Sequence, residues 1–577
     1  MNMRAKYIRL RILLVGVAFA TAFVAIGSRA LLLQVYQGSW LSRKASDQVE
    51  DSLKAVGKRG TIFDRRGHAM AVSIDVTSIA VRPSQVKAPE AEAKQLARVL
   101  KRPPQEMKER LASRKPFVWI KRQATPKEAE AVKQLQIPGI EFVSEASRFY
   151  PNRALAAHVL GFTGMDGRGL EGIEFFYDKH LRGAGTSVKV LRDAHGNGFQ
   201  SESPPDEDAS GKNLVLTLDQ SIQFTAETAL ADAVEKTKAK SGIAIVMAPG
   251  TGEILALALA PAFNPNAFDD AKKSLWRNRA ITDPFEPGST LKVFSAAAAL
   301  EFANLSPKTT FNCENGAYRI GKNTVHDVHR YGLLTLQDII KYSSNIGAVK
   351  ISERVGPEKL HHTLRLFGFG QKTGVDSPAE TTGLLMHHKH WTGIDTAAIS
   401  FGHGVSVSAV QLISAFSAIA NDGVLMRPRM VQAITDQQGQ ILQQFAPEAV
   451  RRVVSSQTAS TLRDILQTVM LPGGTGVHAA LDGYSACGKT GTARKIDDNG
   501  TYSNDRHVAS FIGFAPAENA QVAVLVVIDE PKGQIYGGAV AAPVFKKIVQ
   551  TALNYLNVPP RPATERLRVA WDHGGRG

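Results

Sequence analysis

Ser289-Thr290-Leu291-Lys292 sets a hydroxyl and an amine three residues apart at the start of an apolar run, just after Glu286-Pro287-Gly288. On a helix, positions i and i+3 share a face, so the amine can reach the hydroxyl. A serine at a helix N-terminus also sits where backbone N–H groups and the helix dipole favour developing negative charge. A lysine in an apolar helix tends towards a lowered pKa through desolvation, so it can be neutral and act as a base. That is the chemistry of an activated serine nucleophile. A chain of this length should carry on the order of two such pairs by chance, so the pair needs company. Ser343-Ser344-Asn345 follows 54 residues on, and Lys489-Thr490-Gly491-Thr492 lies 146 beyond that. On an edge strand facing Ser289, the Lys489 charge and the two threonine hydroxyls would hold a substrate carboxylate. Gly491 would let substrate come close to that strand. Each fragment also has a plain structural explanation: a helix cap, a turn and a hairpin. All three in this order and spacing are far harder to explain that way.

The elements that must position these residues can be read from periodicity. Leu214–Leu218 predicts a strand and Ser221–Lys238 a helix. Gly242–Ala248 and Glu253–Ala258, split by Pro249-Gly250-Thr251-Gly252, predict a hairpin. Small-residue helices are expected at Leu291–Ala303 and Val410–Ala420. Three strands are expected in series: the segment after Gly488, Val508–Phe514 and Val522–Ile528, with turns at Asp497–Gly500 and Pro516–Asn519. Upstream, Val72–Val81 and Phe117–Ile120 read as strands and Glu90–Arg102 as a helix, together an elongated α+β module. Gln34–Lys58 reads as a membrane-proximal helix or stalk, Ser201–Gly211 as a linker, and 560–577 as a frayed end.

Competing motifs are present. Gly483-Tyr-Ser-Ala-Cys-Gly488-Lys489-Thr490 matches the phosphate-loop pattern, and Val522–Ile528 followed by Asp529-Glu530 resembles a magnesium-binding strand. A phosphate loop needs a buried strand before it and a helix beginning at the lysine. Ala479–Gly483 makes a poor strand, and Gly491 with the Asp-Asp-Asn-Gly turn opposes a helix, so nucleotide hydrolysis is a remote alternative. Gly167-Arg-Gly169-Leu-Glu-Gly172 is turn chemistry. In His387-His388-Lys389-His390 a solvated loop is the better reading than a metal site, because a lysine sits inside it with no carboxylate or cysteine nearby. Neither G-x-S-x-G nor H-E-x-x-H occurs.

Composition narrows the class. The chain has 577 residues, 44% hydrophobic and 21% charged, enough for several folded domains and incompatible with wholesale disorder. Two cysteines, Cys313 and Cys487, exclude a disulfide scaffold and a cysteine zinc cluster, and leave open whether they pair. The net charge of +16 suits nucleic acid, anionic lipid or an acidic polymer equally. Arg4, Lys6, Arg9 and Arg11 precede an apolar run from Ile12 to Leu33, long enough at ~33 Å to span the hydrocarbon layer. Ala18-Phe19-Ala20 imitates a signal-cleavage site, yet the apolar run continues a dozen residues past it, so a retained anchor is expected. The basic flank would keep the N-terminus in the cytoplasm and send the rest out.

With its three active-site motifs, the chain resembles the class B penicillin-binding proteins, and more narrowly their division-specific septal transpeptidase branch. The likeness extends to Arg59-Gly-Thr-Ile-Phe-Asp-Arg-Arg-Gly67, Arg148-Phe-Tyr-Pro151 and the run Gly161–Glu174. In the catalytic part it includes Phe285–Thr290 and Val508–Pro516, while Ile528-Asp-Glu-Pro531 and Tyr536–Val544 look most like the septal branch. His403 in Phe401-Gly-His-Gly404 departs from the family's pattern, which bears on the shape of the pocket wall.

The resemblance implies an α+β fold: a serine β-lactamase-like transpeptidase domain, an antiparallel sheet flanked by helices, on an elongated pedestal behind one transmembrane helix. The expected division is a cytoplasmic tail at 1–11, anchor at 12–33, pedestal at 34–210, transpeptidase domain at 211–557 and tail at 558–577. By resemblance, Ser289 attacks the penultimate D-Ala carbonyl of a peptidoglycan stem peptide, Lys292 takes its proton, and Ser343 relays a proton to the leaving amine. Asn345 bonds the substrate amide, and Lys489, Thr490 and Thr492 bind the terminal carboxylate beside Gly491. The N–H groups of Ser289 and Thr492 form the oxyanion hole, and β-lactams trap Ser289. No metal, organic cofactor or nucleic acid is implied. Implied partners are the membrane glycosyltransferase and other division proteins. No E-x-x-L-N pattern lies between Asn345 and Lys489, which argues against efficient β-lactam hydrolysis. Eleven residues before Ile12 are too few for the effector of a β-lactam receptor. Side-wall transpeptidation and D,D-carboxypeptidation remain as alternatives.

Overall fold

Five strands carry the catalytic half: β1 (Ser241–Ala248), β2 (Glu253–Ala260), β3 (Cys487–Ile496), β4 (Tyr502–Ala515) and β5 (Val522–Asp529). They form one antiparallel sheet in the order β2-β1-β5-β4-β3, so β3, which bears Lys489, is an edge. Four helices matter to it: α1 (Gln220–Lys236), α2 (Lys292–Phe302), α3 (Ala409–Ala420) and α4 (Ala542–Tyr555). Strand β5 shows how sequence selects the layers. Val522, Val524, Val526 and Ile528 pack with α1 and α4, whereas Ala523, Leu525 and Val527 join the core that holds α3. A strand apolar at every position is what a sheet covered on both faces requires. The hairpin, the two small-residue helices and the three late strands all form where periodicity puts them.

This computed structural model describes residues 3–37, 50–56, 58–183, 185–192, 198–199, 210–497 and 499–560. The expected linker from Ser201 and the frayed end beyond 560 therefore lie outside the described residues, apart from the last residues of the linker. Two units separate by contact: Met1–Lys58 with Gly183–Ser210, and Arg59–Arg182 with Gly211–Gly577. In the first, the helix Met3–Leu31 runs unbroken through Ala18-Phe19-Ala20 and ends in a π-helical turn. Its stretch Leu10–Val35, with mean hydropathy 2.2, is long and apolar enough to cross a membrane. The expected stalk differs: Glu50–Val56 is a strand, antiparallel to Gly185–Arg192. Its sequence Glu-Asp-Ser-Leu-Lys-Ala-Val lacks apolar alternation, so the strand left no periodic signal.

In the second unit a further sheet crosses residue 211. Asn213–Leu216 pairs with Val431–Thr435 on one side and, in parallel, with Ile62–Phe63 on the other. Ile62–Phe63 leads on to Ala69–Val81 and its neighbours. Around it the three upstream motifs meet on one buried carboxylate. Glu174 accepts from Arg59 Nε at 2.5 Å, Arg148 Nε at 2.6 Å and the Tyr150 hydroxyl at 3.3 Å. A buried acid held by two guanidiniums is stable only while complete, and losing one partner from such a pair costs about 3–5 kcal/mol. Glycines fit the same junction: a Cβ on Gly60 would stand 1.9 Å from Lys212 O, and one on Gly169 equally close to Glu174 O. Gly167, at φ +73°, serves a turn.

Candidate active site

The nucleophile candidate sits on a single 3-10 turn, Gly288–Leu291, that runs straight into α2. The turn is tied down on both sides. Gly288 N donates to Gly402 O at 3.1 Å, and Thr290 Oγ1 donates to Pro287 O at 2.8 Å. Ser289 is half-buried, while Lys292, one turn later, is wholly buried. The Lys292 amine donates to Ser343 O at 2.6 Å, Asn345 Oδ1 at 2.8 Å and Ser343 Oγ at 3.3 Å. Burial pushes its pKa down to about 7, against a smaller upward pull from Asp327. A large share of this amine is therefore unprotonated at neutral pH, as a base needs.

Ser343 caps the helix Leu336–Tyr342 and Asn345 opens the helix Asn345–Val355. Ser343 takes a left-handed conformation, φ +63°, which costs a non-glycine residue about 1 kcal/mol. That bend lets its carbonyl and its hydroxyl both face Lys292. Asn345 is fixed at both ends of its amide, accepting from Lys292 and donating Nδ2 to His326 O at 2.9 Å. Lys489 reaches the same hydroxyl from β3, with Nζ to Ser343 Oγ at 2.9 Å, and it is also wholly buried. Burial, reinforced by the nearby Lys292 charge, holds the Lys489 pKa well below the usual lysine value. Two amines converging on one hydroxyl cannot both ionise cheaply.

The fold thus brings Lys292, Ser343, Asn345 and Lys489 into one hydrogen-bonded cluster beside Ser289. Two sequence expectations change in detail. Thr490 is buried and its hydroxyl donates to Thr475 Oγ1 at 2.9 Å, while the Thr492 hydroxyl, half-buried, accepts from Gly537 N at 3.3 Å. Gly491 is demanded first by the neighbouring strand β4 and then by the turn Gly288–Leu291. A Cβ there would stand 2.3 Å from Ser510 Oγ and 3.0 Å from both Pro287 O and Thr290 Cγ2. The missing side chain lets the edge strand and the turn Gly288–Leu291 touch. As for the phosphate-loop match, Lys489 lies inside a strand and no helix starts there. The acids at the end of β5 are held by Lys495, at 2.8 Å to Asp529 and 2.7 Å to Glu530. Cys313 and Cys487 are both free, buried thiols.

Asp327 is the main residue that motif reading misses. Oδ2 accepts from Ser344 Oγ at 2.6 Å, and Oδ1 accepts from the N–H groups of Asn345 and Ile346 at 2.5 and 3.1 Å. It caps the helix that presents Asn345 and supplies the charge that lifts the Lys292 pKa. Replacing Asp327 by asparagine keeps the shape and removes the charge. The pH midpoint of acylation is expected to move down, and the rate at its plateau to fall by about tenfold as the helix cap weakens. A midpoint that moves up, read from penicillin labelling across pH, would contradict this role. The pocket wall is a second finding. His403 stands edge-on to Phe401 and Tyr502, each at 5.3 Å, and burial followed by the Lys292 charge pushes its pKa down to about 4. Glu286 joins that wall, accepting from Gly404 N at 2.8 Å and the Tyr502 hydroxyl at 3.1 Å.

Known proteins agree with this arrangement. Residues 242–550 match the penicillin binding protein transpeptidase domain, and residues 54–216 the penicillin-binding protein dimerisation domain. The chain is 38% identical over 561 residues to the probable peptidoglycan D,D-transpeptidase PenA of Neisseria meningitidis, covering 96% of this chain and 94% of that protein. It is 34% identical over 568 residues to the peptidoglycan D,D-transpeptidase FtsI of Escherichia coli K12, covering 97% and 94%. Among solved structures, penicillin binding protein 3 of Mycobacterium tuberculosis complexed with aztreonam superposes with a TM-score of 0.69 at 30% identity, covering 88% of this chain and 98% of that one. A transpeptidase domain over more than half the sequence, relatives alike from end to end and the buried lysine cluster beside Ser289 lead to one assignment: the chain belongs to the class B penicillin-binding proteins, the serine-type peptidoglycan D,D-transpeptidases.

Proposed function

We propose that this chain cross-links peptidoglycan stem peptides at the division septum, anchored by its N-terminal helix with the catalytic part outside the cytoplasmic membrane. The observation that carries the mechanism is the Lys292 amine, buried, about half neutral at pH 7 and bonded to both Ser343 and Asn345. Lys292 takes the Ser289 proton as Oγ attacks the penultimate D-Ala carbonyl, and the N–H groups of Ser289 and Thr492 hold the oxyanion. Ser343, between the two lysines, passes a proton to the departing D-Ala amine. An ester to Ser289 remains, which the amine of a second stem attacks to form the cross-link and free the serine. The terminal carboxylate binds Lys489, Thr490 and Thr492, with Asn345 on the substrate amide. An arriving carboxylate restores the Lys489 ammonium, which burial alone disfavours. The Thr475 and Thr490 hydroxyls can turn so that Thr475 donates to Thr490 and Thr490 to the carboxylate. β-Lactams enter as carboxylate-bearing acyl donors and stay on Ser289.

The basic residues before Ile12 support a cytoplasmic N-terminus, and the likeness of Ile528–Pro531 and Tyr536–Val544 to the septal branch supports the division role. Residues 34–210 serve as a non-catalytic pedestal that docks the membrane glycosyltransferase and other division proteins. The test of the reaction gives purified chain a donor stem ending in D-Ala-D-Ala together with an acceptor stem. Cross-linked dimer plus free D-Ala is the expected outcome, whereas trimmed donor alone would mean carboxypeptidation. For the pedestal, a chain anchored but lacking it should fail to support septation, and normal septation would end the docking idea.

A further inference from the structure

Transpeptidation needs a place for its second substrate, the stem whose amine attacks the acyl-serine. By microscopic reversibility that amine arrives where the D-Ala amine departed, at the Ser343 hydroxyl. The neutral amine attacks the ester carbonyl, so the N–C bond forms and the bond from that carbon to Ser289 Oγ breaks. Its surplus proton passes by Ser343 to Lys292 and on to Ser289 Oγ. The rest of the accepting stem must then extend outward from Ser343, over whatever surface flanks it.

That surface is an aromatic ledge. Tyr342, the residue before Ser343, stacks on Tyr331 with ring centres 5.7 Å apart and planes 18° apart, and both are half-buried. His329 stands edge-on to Tyr331 at 6.1 Å, and the Lys341 amine lies 5.3 Å from the centre of the Tyr342 ring. The loop that carries Tyr331 is fixed in advance. His326 O accepts from Asn345 Nδ2 at 2.9 Å, Asp327 N donates to Gly316 O at 3.2 Å, and Gly332 O accepts from Cys313 N at 2.7 Å. The ledge also adjoins the carboxylate end of the site: Lys341 O accepts from Thr475 N at 3.4 Å, and Thr475 is the hydroxyl partner of Thr490. Its charge is one-sided. From Ser306 to Asn345 the chain has five Lys and Arg against three acids. All three acids are engaged: Glu314 by Lys350 at 3.4 Å, Asp327 by the N–H groups of Asn345 and Ile346, and Asp338 by Thr335. Arg330 is exposed, and neither it nor Lys341 meets a carboxylate among the described residues.

We propose that Tyr331, Tyr342, Lys341 and Arg330 form the subsite for the accepting stem and bind it as an anionic peptide. This subsite presupposes transpeptidation and says where its second substrate lies. A stem peptide ends in a carboxylate, which the two cations pair, while the tyrosine rings carry the apolar part of the chain. The same positive field, with Lys292 and Lys489 close by, keeps the attacking amine unprotonated, as attack requires.

The test uses the full chain in detergent with a donor stem ending in D-Ala-D-Ala. The acceptor is a stem truncated before D-Ala-D-Ala, able to accept and unable to donate, with its carboxylates either free or amidated. For the wild type, KM for the free-acid acceptor should lie about fivefold or more below that for the amide. In the double variant Lys341→Gln/Arg330→Gln, KM for the free acid should rise about tenfold and the preference over the amide should vanish. Tyr331→Leu, which keeps much of the side-chain volume, should raise KM for both forms about threefold. The rate of penicillin acylation at Ser289 should match the wild type in every variant, which shows that folding and the acyl step are intact. An unchanged acceptor KM in the double variant, an equal loss for both acceptor forms, or an equal loss in acylation would overturn the subsite. No cross-linked dimer from the wild type would end the transpeptidation reading itself, and the subsite with it.

Discussion

Replacing Lys292 by methionine is expected to slow acylation by benzylpenicillin on the order of 10³-fold, within the range that a positioned general base supplies. The folded state should survive. Methionine fills the same linear space in a fully buried slot, and the desolvation that depresses the lysine pKa disappears with the amine. Ser343 O and Asn345 Oδ1 each lose a donor, at about 1–3 kcal/mol apiece when left unpaired, so a lower melting temperature accompanies the lost rate. The pH profile carries the sharper signature. Only the unprotonated amine can take the serine proton, so the wild-type rate should fall with decreasing pH below about 7 and level off above it. In the methionine variant that limb should vanish. A variant that keeps the limb, or that loses less than about tenfold in rate, would remove Lys292 from the role of base.

Ser289→Ala should abolish the covalent adduct and cut transpeptidation by at least about 10⁴-fold, since the variant lacks the atom that carries the acyl group. Its stability should stay within about 0.5 kcal/mol of wild type. Ser289 is half-buried, and the amine one turn on is bonded to Ser343 and Asn345 rather than to it. Reversible β-lactam binding should persist, because Lys489 and the β3 strand are untouched. Acyl-enzyme that still forms in this variant, seen by intact mass, would move the nucleophile elsewhere.

Much of this site is legible without coordinates because its chemistry is local. Ser289 and Lys292 share one helical turn, Lys489 to Thr492 share one strand, and a lysine amid apolar residues announces its own desolvation. The three late strands are legible as a series, whereas the edge position of β3 is set by the pairing of β5 with β1. What stays hidden acts across sequence distance without a pattern. Asp327 lies 18 residues before Asn345 in an irregular segment, and no spacing rule ties an acid there to a helix N-terminus. Thr475 meets Thr490 only because the loop after residue 470 folds against the edge strand. The need for Gly491 is visible in the sequence, but its cause is not. Contact with Ser510, Pro287 and Thr290 depends on strand pairing and on the docking of the Gly288–Leu291 turn, which only tertiary packing sets. Arg59, Arg148 and Glu174 read as separate upstream motifs, and the structure shows one buried charge cluster. The strand Glu50–Val56 is missed for the opposite reason: its pairing partner, not its own pattern, makes it a strand.

The measurement that bears most directly on the central claim is peptide mass mapping of the wild-type chain after brief exposure to benzylpenicillin, with release followed over hours. The account predicts a single penicilloyl group, on the peptide containing Ser289, formed rapidly and released slowly. A label on any other residue, no label on folded protein, or turnover as fast as acylation would contradict it.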